Sequence, residues 1–193
     1  MNRATRMLLA LIATALIGIV SGHATFAAFT RTTANADNTY AAGTVTLGDN
    51  DGATVMWDVA NQSPTSAPIV RCIRVTYTGS LPSSVRLYTT TAASGLDPHL
   101  NITVEKGSMP VATTFPNCGG FASEATISPV GTLEAFKTAS GGWANGIPAF
   151  PGVQTQWNAG DSLVYRFTVQ MQNVFAAQGL TGLTTFTWEA HNR

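Results

Sequence analysis

Charge is what this chain has least of: Asp, Glu, Lys and Arg make up 10% of its 193 residues, against roughly 25% in ordinary soluble domains. With 10 basic and 10 acidic side chains, no basic stripe exists to neutralise phosphates, which argues against nucleic acid as a partner. Histidine is scarcer, with three in the chain. HExxH, which would set two imidazoles on one helical face with a Glu base between them, is absent, as are the G-x-S-x-G elbow and the P-loop. The chain is therefore read as a non-enzyme that needs no cofactor. Cysteine is limited to Cys72 and Cys118, and the chain is long enough to bury a core without relying on staples.

What is present begins at the N-terminus. Arg3 and Arg6 precede the apolar run Met7–Val20, and Thr25-Phe26-Ala27 puts small residues at the two positions that a signal peptidase reads. Cleavage is expected between Ala27 and Ala28, with residues 1–27 removed as a signal peptide. The apolar run is shorter than the about 20 residues a bilayer needs, so no stable membrane span is expected after cleavage. Loss of Arg3 and Arg6 leaves eight basic against ten acidic side chains, a formal charge of −2. In the oxidising compartment that a secreted chain enters, Cys72 and Cys118 read as one disulfide.

The remainder reads as an all-β domain over residues 39–193, preceded by an N-terminal extension at 28–38. Short runs of Val, Ile, Thr, Tyr, Phe and Trp alternate with Gly, Pro, Asn and Ser clusters. Strands are predicted over Leu163–Met171 and Thr185–Ala190, the latter with the C-terminus inside the sheet. Another covers Ile69–Thr78, where Ile73, Val75 and Tyr77 share the core face and Cys72, Arg74 and Thr76 the other. Further strands are expected at Thr39–Leu47, Ala53–Val59, Ser84–Thr91 and Asn101–Lys106. Cys118 lies in a Pro- and Gly-rich loop, MPVATTFPNCGGF, so the disulfide should tie that loop to the outer face of the Cys72 strand. One short helix is expected within Pro129–Ala139. The Gly-, Pro- and Trp-rich stretch Gly141–Gly160 should form a long loop over one end of a two-sheet sandwich.

The order of motifs carries a family resemblance. The apolar helix, the FAAFT junction, NADNTYAAGT and TVTL follow one another, with GDNDGATVMW, RCIRVTYTGSLPSSVRLY and AAQGLTGLTTFTWEAHNR further on. In this the chain resembles the TasA/camelysin family of secreted bacterial biofilm-matrix fibre proteins, whose mature N-terminus starts Ala-Phe. The resemblance implies a jelly-roll sandwich and fibre formation.

Ala28–Asn38, AFTRTTANADN, is free of proline and glycine and can be extended, yet has little to bury within its own domain. It suits donor-strand addition to another copy of the chain, with backbone groups pairing along an open edge. Ala28, Phe29, Thr30, Arg31, Thr32 and Thr33 form the expected donor, with Phe29 as anchor and Arg31 and Thr33 on the same side. The expected partners are the chain itself, signal peptidase and an accessory fibre or anchoring protein. Camelysin-like proteins have been classed as metallopeptidases, and the alternative metal set is Asp97, His99, Glu189 and His191. A glycan-binding module with Trp57, Trp143, Trp157 and Tyr88 as platforms is the third reading.

Overall fold

The computed structural model of the chain describes residues 42–57 and 62–192, and among them are eight strands. They are β1 (Leu47–Asp49), β2 (Ile69–Tyr77), β3 (Ser83–Tyr88), β4 (Leu100–Ser108), β5 (Ala122–Thr132), β6 (Ile147–Pro148), β7 (Ser162–Met171) and β8 (Thr187–Asn192). A larger sheet has the order β1-β2-β7-β4-β5 and a smaller one β6-β3-β8, with every pairing antiparallel. One short helix, α1 (Leu133–Ala139), follows β5 directly. No helix among the described residues is long and apolar enough to cross a membrane.

The core lies between the two sheets because one face of each strand is apolar. Ile73, Val75 and Tyr77 from β2 meet Leu163, Tyr165 and Phe167 from β7, Ile102 and Val104 from β4, and Val85 and Leu87 from β3, all buried. Trp157 is completely buried with them, and its indole Nε1 donates to Ala149 O at 2.7 Å. Burying Tyr165 pushes its phenol well above the ordinary range, because desolvation disfavours the phenolate.

Cys72 points to the other side of β2 and is bonded to Cys118. With Met109, Val164 and Phe121 the pair forms a separate apolar cluster beneath the Met109–Phe121 loop. Arg74 Nη2 donates to the carbonyls of Met109 and Pro110 at 2.7 and 2.8 Å. Arg166 sits 4.6 Å over the Phe121 ring and donates to Glu105 at 2.7 Å. The loop is thereby fixed on the outer face of the larger sheet, as its composition predicted.

Several expectations need correction. Of Thr39–Leu47, residues 39–41 lie outside the described residues and 42–46 form no strand, so pairing begins only at Leu47. Of Ala53–Val59, residues 58–59 lie outside the described residues and Ala53–Trp57 is turn and coil, since Gly52 (φ +59°) and Ala53 (φ +63°) both turn through left-handed backbone that a strand cannot adopt. The expected helix starts at Leu133 instead of Pro129: residues 129–132 belong to β5, and the Thr132 side chain caps α1 by accepting from the Ala135 N–H at 3.1 Å. The Gly141–Gly160 stretch contains the two-residue strand β6. The C-terminal strand, expected over Thr185–Ala190, runs from Thr187 to Asn192, so the chain ends within the smaller sheet as expected, at its border.

Candidate functional site

That border position makes β8 the notable element. Its pairing with β3 runs from Tyr88↔Thr187 to Ser83↔Asn192, and its other edge has no strand partner among the described residues. β1, three residues long, pairs among the described residues only with β2 and stands at the near border of the larger sheet, beside β8. The two sheets thus present neighbouring open borders. A cavity of about 260 Å³ lies between them, with Leu47, Val75, Phe186 and Trp188 giving it an apolar wall and Asp49 and Asp51 a carboxylate wall.

Alternation builds the apolar wall. Phe186, just before β8, and Trp188 within it both pack toward the core, with Phe186 4.6 Å from Phe167 and Trp188 5.3 Å from Tyr165 between ring centroids. Both remain only partly buried. Trp188 Nε1 and Tyr165 Oη are both shielded from solvent and lie near enough to interact with each other.

The turn Gly48-Asp-Asn-Asp-Gly52 builds the carboxylate wall. Asp49 Oδ1 accepts from the Asp51 N–H at 3.2 Å, and Asp51 Oδ1 accepts from the Ala53 N–H at 2.7 Å, the local bonding for which Asp is favoured in turns. Asn50 Oδ1 accepts from the Arg74 N–H at 2.8 Å, docking the turn on β2. Burial holds the Asp49 carboxyl above its ordinary value and outweighs the backbone bond that lowers it; the nearby Asp51 carboxylate adds to the rise. Among the described residues neither carboxylate has a salt-bridge partner.

The cleavage residues Ala27 and Ala28 and the donor residues Phe29, Thr30, Arg31, Thr32 and Thr33 lie outside the described residues. The alternative metal set is dispersed. Asp97 is wholly buried and held by Lys137 Nζ at 2.7 Å, while Glu189 binds His191 at 2.6 Å and Tyr88 at 2.7 Å. Among the described residues no group of three or more His, Cys, Asp or Glu side chains is placed to hold a metal ion. The aromatic platforms divide too. Trp157 is in the core, and Trp57 packs edge-on against Phe167 and Phe186. Trp143 stacks on His191 with Arg86 5.1 Å from its ring centroid.

Sequence reasoning did not single out Asp49 and Asp51, although D-N-D-G is a recognisable turn signal. No protein-family model matches the chain, and a search of curated proteins finds no match either.

Proposed function

We propose that the chain is a secreted subunit of an extracellular fibre that polymerises head-to-tail, the freed N-terminus of one copy adding a strand to the next. The observation that carries this reading is the border of β8, open among the described residues, beside a cavity that Phe186 and Trp188 help to line. Jelly rolls arrange eight strands in two sheets. With the three-residue β1 set aside as an addition at the border of the larger sheet, the orders β2-β7-β4-β5 and β6-β3-β8 fit that arrangement with no strand beside β8 in the smaller sheet among the described residues. In such winding the lacking strand precedes β2 in sequence, on the side of the chain where Ala28–Asn38 lies. A donated strand would satisfy the free backbone groups of β8 and cover Phe186 and Trp188, which is the chemistry of donor-strand addition.

Because donor and acceptor are different surfaces of one subunit, the contact is heterologous and propagates. Signal peptidase, by cutting before Ala28, creates the donor. An accessory or anchoring protein would hold the fibre at the cell surface. Electron microscopy of protein beginning at Ala28 and at Thr39 tests the reading: fibres are expected from the first alone. Fibres from both, or from neither, would count against it.

A further inference from the structure

The acceptor cavity is mostly polar, with two carboxylates facing an apolar patch at Phe186 and Trp188, and the proposed donor places one aromatic and one cationic side chain in matching alternation. Phe29 and Arg31 lie on the same side of an extended Ala28–Asn38 segment, about 7 Å apart. Asp37 is the only other charged side chain in that segment. The cavity sets Phe186 and Trp188 against Asp49 and Asp51. Resting on the fibre reading above, we infer that a second copy of the chain binds with Phe29 on the Phe186–Trp188 wall and Arg31 paired with Asp49 and Asp51. The ion pair sets the register of the donated strand.

The Lys and Arg side chains among the described residues are engaged elsewhere: Arg86 donates to Trp143 O and Ala144 O, and Arg71 to Val70 O. The Arg74 guanidinium is spent on the carbonyls of Met109 and Pro110, and Arg166 on Glu105. Lys106 reaches Phe150 O and Gly152 O, and Lys137 is buried against Asp97. Reach is sufficient as well: 11 extended residues span about 36 Å and the six of β8 about 20 Å. A guanidinium suits this site because its planar donors can meet two carboxylates at once. The pairing also discriminates against a strand slipped by one residue, which would turn Phe29 and Arg31 outward together.

The test follows fibre growth of the Ala28–Arg193 protein by light scattering at low ionic strength and at about 0.15 M, where the Debye length is about 8 Å. Arg31→Asp is expected to slow growth about ten-fold or more at low ionic strength, the equivalent of one charge-assisted hydrogen bond. Asp49→Arg with Asp51→Arg should slow it equally, and all three changes together should restore it. Since the two aspartates also bond their own turn, a second arm leaves the domain untouched. Protein beginning at Thr39 is titrated with the Ala28–Asn38 peptide, with and without R31D, and the substituted peptide should bind about ten-fold more weakly. Equal binding by the two peptides, or wild-type growth of Arg31→Asp, overturns the ion pair and leaves strand donation standing. Fibres from protein beginning at Thr39 overturn strand donation itself.

Discussion

The Cys72–Cys118 bond closes a stretch of 46 residues, and the chain-entropy relation assigns about 4 kcal/mol at 25 °C to a closure of that length. Replacing both cysteines with alanine is the perturbation. Cys72 is fully buried beside Met109 and Val164, so the vacated sulfur volume adds about 1 kcal/mol. Arg74 and Arg166 still hold the loop through its carbonyls and Phe121, which keeps the native state close to its present form and puts most of the effect in the unfolded chain. The expected loss is therefore about 4–5 kcal/mol, or roughly 8–20 °C in Tm for a domain of this size. Urea unfolding followed by tryptophan fluorescence measures it, and the m-value should rise as the unlinked chain exposes more surface. A loss below about 1 kcal/mol with an unchanged m-value would refute the reasoning.

Lys137→Met leaves the buried Asp97 carboxylate without its cation and removes the bonds to Ala92 O and Leu183 O, so denaturant melts should show a loss of about 3–5 kcal/mol. Adding Asp97→Leu should recover part of it, because an apolar pair avoids the uncompensated charge; a single variant as stable as wild type would contradict this. The hydrogen bond from Tyr88, then that from His191, holds the Glu189 carboxyl below its ordinary value of 4.5. Its contribution is accordingly complete above about 4.5 and is lost as pH falls through the lower folded value. An NMR titration should place the Glu189 midpoint below 4.5 and show it rising in Tyr88→Phe; a midpoint unmoved by that change would count against the bond.

Where one face of a strand is buried, alternation in the sequence identified it. Leu163–Met171 and Ile69–Thr78 became β7 and β2, with Ile73, Val75 and Tyr77 in the core and Cys72 on the opposite face. The disulfide was readable for the same reason, since a Pro- and Gly-rich loop and an outward-facing Cys leave few ways to pair. β5 was missed because it is a sheet border, mostly exposed, with a proline, a glycine and register shifts against β4; no single face needs burial, so no period-two signal develops. The described part of Ala53–Val59, Ala53–Trp57, failed for the opposite reason. Val55, Met56 and Trp57 are apolar as a strand would be, but the backbone turn at Gly52 and Ala53 governs their path. The candidate acceptor was hidden because it joins β1 to β8, about 140 residues apart in sequence, and local pattern carries no information on such a pairing.

The central claim is that the open border of β8 receives the mature N-terminus. It is tested most directly by adding the Ala28–Asn38 peptide to protein beginning at Thr39 and following backbone amide exchange. The account predicts one-to-one binding, with new protection within Thr187–Asn192 and altered Trp188 fluorescence. Binding that protects β5 instead, or no binding at all, would contradict it.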